Sequence, residues 1–120
     1  MTALRVLVVE DDAMIGQLLA ETLVELGYEV CGVEATEAGA VSAAARHRPD
    51  LMIVDVNLAG GSGLAAMACI ARVAAVPHFF ISGQTRQADM PGGVLLTKPF
   101  PVADLVKAIE RAVATTALSA

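Results

Sequence analysis

The chain has 120 residues, 56% of them apolar, yet it carries only three phenylalanines, one tyrosine and no tryptophan. A chain of this length is expected to form one domain, residues 1–120, with a single aliphatic core that removes about two-thirds of the unfolded chain's surface from water. The net charge of -5 leaves no basic cluster able to displace counterions from phosphates, which excludes non-specific nucleic-acid binding.

Leu4 to Val9 reads as a first strand that runs into three acids, Glu10, Asp11 and Asp12. Apolar residues then recur at Ile15, Leu18, Leu19, Leu23 and Leu26, the spacing of one helix face, and Gly27 is placed to end that helix in a left-handed conformation. Glu29 to Val33 predicts a short second strand. Thr36 or Glu37 opens a second helix, with Arg46, His47 and Arg48 near its negative end and Pro49 stopping it. Leu51 to Val54 is an uninterrupted apolar run, the mark of a strand covered on both faces, and it ends on Asp55. After the Gly-rich loop Ala59 to Gly63, Leu64 to Ala75 predicts a third helix, His78 to Ser82 a fourth strand and Val94 to Thr97 a fifth. The polar stretch between those two strands, Gly83 to Gly93, has room for a helical turn or two at most. Pro101 sits where a last helix would start, with Val102, Leu105, Val106, Ile109 and Val113 on one face, and residues 115–120 are expected to fray.

Strand and helix alternate five times. Right-handed crossovers turn that order into an α/β fold, a doubly wound five-stranded parallel sheet with helices on both faces. No linker or second domain is visible, so no fused output module is expected. Nothing approaches the roughly 20 apolar residues of a membrane span, and no signal peptide precedes the first strand, so a cytoplasmic protein is expected. Cys31 and Cys69 lack metal-type spacing and are expected to be buried free thiols.

In such a sheet Glu10, Asp11, Asp55, Ser82 and Lys98 all leave the carboxyl ends of strands, the edge where ligands collect. Singly, each has an ordinary reading as a helix-start acid, a turn hydroxyl or a solvated lysine. Together they suit phosphoryl chemistry. Close carboxylates repel one another unless a cation neutralises them, and Mg²⁺ takes one or two carboxylates while leaving positions open for phosphate oxygens. Asp55 would then be the nucleophile, with Lys98 and Ser82 on phosphoryl oxygens.

The ordered set Val8-Val9-Glu10-Asp11-Asp12, Asp55 with Gly63 eight residues on, Ser82, and Thr97-Lys98-Pro99-Phe100 resembles the receiver domain of two-component response regulators. The resemblance covers essentially the whole chain and implies the flavodoxin-like strand order 2-1-3-4-5. It implies that Asp55 is the phosphorylated aspartate, Asp11 a direct Mg²⁺ ligand and Glu10 one acting through water. Asp12 is accessory, and the backbone carbonyl of Asn57 completes the ligands. Ser82 becomes the switch hydroxyl, Lys98 the lysine of the pattern, and the Lys98–Pro99 bond is cis. Implied partners are a sensor histidine kinase or histidine phosphotransfer protein and a downstream protein, with the domain a monomer or weak dimer and not an enzyme.

Two departures stand out. Leu95 occupies the position where these domains commonly carry an aromatic switch residue, and Ser82 and Lys98 are only 16 positions apart, which leaves helix 4 shortened or missing. Pro77 to Gly83 resembles, imperfectly, a stretch found in small stand-alone receivers. Two rival readings are an adaptor that keeps the fold without phosphorylation and an Asp-nucleophile phosphohydrolase. The second is disfavoured because Asn57 stands where such an enzyme needs an acid.

Overall fold

An unbroken apolar run is stable as a strand only when both of its faces are covered, and Leu51–Asp55 (β3) is buried throughout, at the centre of a five-stranded parallel sheet. The computed structural model describes residues 3–83 and 95–119. Arg5–Val9 (β1) flanks β3 on one side, with Val9 opposite Val54. His78–Ser82 (β6) flanks it on the other, with Asp55 opposite Ile81. Glu29–Glu34 (β2) and Leu95–Thr97 (β7) complete the sheet as its outer strands. Between β3 and β6 lies an antiparallel pair of two residues each, Asn57–Leu58 (β4) with Gly61–Ser62 (β5). The order β2-β1-β3-β6-β7 is the expected 2-1-3-4-5 once that small pair carries its own labels.

Successive side chains on a strand face opposite sides, so the sheet feeds two cores. Leu7, Val9, Met52, Val54 and Phe80 pack with helices Glu37–His47 (α2) and Gly63–Ala71 (α3). Val6, Val8, Ile53, Phe79 and Ile81 pack with Ala13–Glu25 (α1) and Val102–Ser119 (α4). Small residues set the spacing: Ala40, Ala43 and Ala66 let α2 and α3 lie close on the sheet. Helix ends follow the local chemistry. Asp12 caps α1 by accepting the Met14 and Ile15 amides, Thr36 caps α2 by accepting the Gly39 amide, and Ser62 caps α3. Gly27, at φ +96°, takes the left-handed conformation expected of it.

The structure corrects several expectations. α3 stops at Ala71 rather than Ala75, because residues 72–75 are exposed, with Val73 88% accessible, and no burial supports another turn. Ile15 and Leu18 do not join the α1 core face, which is Gly16, Leu19 and Leu23; they stay 37% and 57% exposed because, among the described residues, no element covers that side of the helix beside the acid edge. Cys69 is exposed and Cys31 only half-buried, since Cys69 falls on the outer face of α3. The backbone of α4 is helical to Ser119, into the stretch expected to fray. The helix expected to be shortened or missing before β7 falls on residues 84–94, outside the described residues. Among the described residues no helix is long and apolar enough to cross a membrane.

Candidate functional site

Parallel strands present all their carboxyl ends at one edge, and here that edge gathers the predicted residues. Glu10 follows β1 and is 2% exposed, Asp55 ends β3 at 4%, and Ser82 ends β6 fully buried. Carboxylate oxygens of Glu10, Asp11 and Asp55 lie within 4.8 Å of one another. Lys98 arrives from the far end of the chain, just past β7, and its Nζ donates to Glu10 Oε1 at 2.7 Å and to Asp55 Oδ2 at 3.0 Å. Its backbone is placed by the Lys98 amide, which donates to the Ser82 carbonyl at 2.8 Å and continues the β6–β7 pairing. The Lys98–Pro99 bond is cis, as the resemblance implied.

The other oxygen of Asp55, Oδ1, accepts the Asn57 amide at 3.1 Å, so the carboxylate is held from both sides. Asn57 itself is exposed at the rim. Asp12 stays outside the carboxylate cluster and caps α1 instead. Gly63 is demanded by contact: its amide donates to the Val56 carbonyl at 2.9 Å, and a Cβ there would fall on the Asp55 carbonyl oxygen. Gly63→Ala is therefore expected to cost about 3 kcal/mol, the upper end of overpacking penalties. Denaturant melts against wild type check this, and equal midpoints would show that the β3–α3 connection yields without strain.

The electrostatics call for a cation. Burial pushes the Glu10 carboxyl up from an ordinary 4.5 to about 7, the adjoining Asp55 carboxylate adds to the rise, and the hydrogen bonds from Lys98 and the Asp12 amide oppose it. For Lys98, burial works against the charged form, but its bonds to Glu10 and Asp55 outweigh that and raise its pKa. Three carboxylates against one ammonium leave two negative charges when all are ionised. Oxygen donors with that residual charge fit a small, hard divalent ion. Among the described residues Asp11 is exposed and forms no ion pair, so it is available to such an ion.

A pH dependence follows. Between pH 4.5 and about 7 the folded, ion-free protein keeps a proton on Glu10 that the unfolded chain has lost, so its stability falls as pH rises through that window. The stabilising contribution of Lys98 is complete below its ordinary 10.5 and is lost only above it, outside the window. Divalent-ion affinity is expected to be higher at pH 8 than at pH 6, with proton release on binding near neutrality. Calorimetry in buffers of different ionisation enthalpy measures both, and pH-independent affinity would contradict the assignment.

Beside the acids runs a groove of about 710 Å³ between α1 and the β7–α4 segment. Ile15, Leu18 and Thr22 line one wall, Phe100, Val102 and Leu105 the other, and Asp11, Asp55 and Lys98 stand at its end. Sequence periodicity assigned Leu18 and Leu105 to helix faces without revealing that they border one cleft. The available signal was an apolar stripe on α1 wider than one core face requires.

A family model for the response regulator receiver domain matches residues 6–110. The transcriptional regulatory protein PdtaR of Mycobacterium tuberculosis is 38% identical over 115 residues, which span 91% of this chain and 56% of that protein. The receiver domain of the Erythrobacter litoralis PhyR response regulator, solved by NMR, superimposes with a TM-score of 0.84 at 32% identity, covering 94% of this chain and 92% of that one. The signal receiver domain of a modulated diguanylate cyclase from Desulfovibrio desulfuricans G20 does so with a TM-score of 0.89 at 29% identity, over 99% of this chain and 100% of that one. The chain spans about half the length of the curated relatives it matches.

Proposed function

This chain belongs to the response-regulator receiver family, and from that premise we propose that Asp55 accepts a phosphoryl group from a phosphohistidine of a sensor histidine kinase or phosphotransfer protein. One observation carries the assignment: a lysine 43 positions away in sequence lies 3.0 Å from Asp55 Oδ2 inside a ring of acids. In the transfer an Asp55 oxygen forms the new bond to phosphorus, the phosphorus–nitrogen bond of the donor breaks, and its electron pair returns to the imidazole. Lys98 has three donors, two of them engaged by Glu10 and Asp55, which leaves the third for a phosphoryl oxygen. Ser82 would take another oxygen through its hydroxyl.

Glu10, Asp11, Asp55 and the backbone carbonyl of Asn57 would hold Mg²⁺, Asp11 directly and Glu10 through water. When bound, Mg²⁺ supplies neutralisation of the charge on the incoming phosphoryl oxygens. The phosphohistidine donor would approach along the groove beside α1, whose apolar walls suit a partner helix and whose end is the acid rim. Asn57, two residues beyond Asp55, carries no ionisable group for general acid catalysis, which speaks against turnover of phosphate esters. We place this transfer in the cytoplasm, with residues 1–120 acting there as one receiver; among the described residues no helix is long and apolar enough to cross a membrane.

Output follows from contacts that differ between the two states. New bonds from Ser82 and Lys98 to the phosphoryl group would shift the equilibrium of the adjoining loops by about 1–3 kcal/mol and so change binding of a downstream protein. Leu95 is packed into the core on the α2 and α3 side, so this shift proceeds without a swinging aromatic ring. Incubation with acetyl phosphate and Mg²⁺, read by intact mass, tests the reading. No mass gain, or an equal gain with Mg²⁺ removed by chelation, would overturn it.

A further inference from the structure

The loop after Asp55 is held at its far side by a residue outside the acid cluster. Glu37, the first residue of α2, accepts the Ser62 amide on Oε1 at 3.0 Å. Its side chain lies flat on Gly61, where an added Cβ would sit 2.5 Å from Glu37 Oε1 and 2.7 Å from Glu37 Cβ, so the absence of a side chain at Gly61 is what lets the two meet. Beside it a backbone bridge joins Thr36 to Ala59. Ser62 is paired in turn with Asn57 across the β4–β5 ladder, and the Asn57 amide donates to Asp55 Oδ1 at 3.1 Å. The connections run without a gap from the start of α2 to the carboxylate at the end of β3.

We propose that Glu37 is a positioning residue for the phosphoacceptor site: by fixing Ser62 it sets the register of the β4–β5 pair and hence the placement of the Asn57 backbone beside Asp55. The ladder is only two residues long on each side and turns through Ala59 and Gly60, the latter at φ +70°. So short a pair has little stability of its own in water. An outside anchor is needed to keep the loop in one conformation, and Glu37 and the Thr36–Ala59 bridge are the contacts from α2 that supply it. An acid in the first turn of a helix is often no more than a favourable partner for the helix dipole. Here it also accepts an amide 25 residues away.

The inference rests on the reading that Asp55 and its neighbours bind Mg²⁺, and three variants test it: Glu37→Ala, Glu37→Gln, which keeps the acceptor oxygen, and Thr36→Ala, which removes the α2 cap and leaves the Glu37–Ser62 bond. Mg²⁺ affinity is measured by titration, stability by thermal melts, and loop order by amide exchange at Asn57 and Ser62. Glu37→Ala is expected to weaken Mg²⁺ binding roughly threefold to tenfold, below the roughly 10–100-fold typical when a group bonded directly to a ligand is lost, and to speed exchange at both amides. Glu37→Gln should stay close to wild type, and Thr36→Ala should melt lower with its Mg²⁺ affinity unchanged. Wild-type affinity in Glu37→Ala, or an equal loss in Thr36→Ala, overturns the proposal. If wild type binds no Mg²⁺, the proposed phosphoacceptor function itself fails, and unaltered Asn57 exchange in Glu37→Ala then separately rejects the positioning role.

Discussion

Asp55→Asn is expected to gain no phosphoryl mass from acetyl phosphate and Mg²⁺ under conditions that charge the wild type. The amide keeps the shape of the carboxylate but only one acceptor oxygen, which can serve the Asn57 amide on one side or Lys98 on the other but not both; Lys98 still has Glu10 as an acceptor, so the fold is retained while the nucleophilic oxygen is lost. The variant should also be no less stable than wild type in ion-free buffer at pH 8. It removes a carboxylate whose charge and hydrogen bonding help push Glu10 up to about 7, and Lys98 keeps Glu10 as its partner. Mass spectrometry and thermal melts check the two halves separately. A mass gain that survives in Asp55→Asn would place the acceptor elsewhere, and a collapse of stability would mean that Asp55 holds the fold as well as the phosphoryl group.

Lys98→Met is expected to cost as much stability as Gly63→Ala, by charge rather than by shape. Lys98 is 18% exposed while the Glu10 and Asp55 side chains it bridges are 0% and 6% exposed, so its removal leaves two carboxylates in a poorly hydrated edge with no counter-charge. Breaking a buried ion pair by deleting one member costs about 3–5 kcal/mol. The low end, about 3 kcal/mol, is expected at pH 8 in ion-free buffer, because Glu10 can relieve the repulsion by taking up a proton. The cost should be smaller at pH 6, where Glu10 already carries that proton, and Mg²⁺ at pH 8 should restore part of the loss by replacing the missing positive charge. Denaturant melts at the two pH values, with and without Mg²⁺, measure all three effects. A variant as stable as wild type at pH 8 would show that the ammonium contributes nothing to holding the acids together.

Other parts of the site are held by shape rather than charge. Gly63 and Gly61 are both places where a neighbour occupies the space a side chain would need, the Asp55 carbonyl in one case and the Glu37 side chain in the other. The first belongs to the spacing pattern that suggested the family. The second had no sequence signal, because a glycine in a Gly-rich loop looks the same whether it permits a turn or makes room for a carboxylate.

Several features were legible because they depend on local order along the chain. The apolar run of Leu51 to Val54 ending on Asp55 can satisfy its backbone and bury both faces only as a central strand, and Gly27 and Pro49 mark helix ends by their own backbone limits. Once five strands run parallel, their carboxyl ends share an edge, so the meeting of Glu10, Asp11, Asp55 and Lys98 followed from topology. Tertiary structure decided what periodicity leaves open. Ile15 and Leu18 share the spacing of core residues, but among the described residues no element covers the side they face, so they border a groove instead. Glu37 and Ser62 meet only because α2 and the loop after β3 fold against each other, 25 residues apart in sequence. A sequence pattern records which residues can share a face; which faces find a partner depends on how the packed elements divide the available surface.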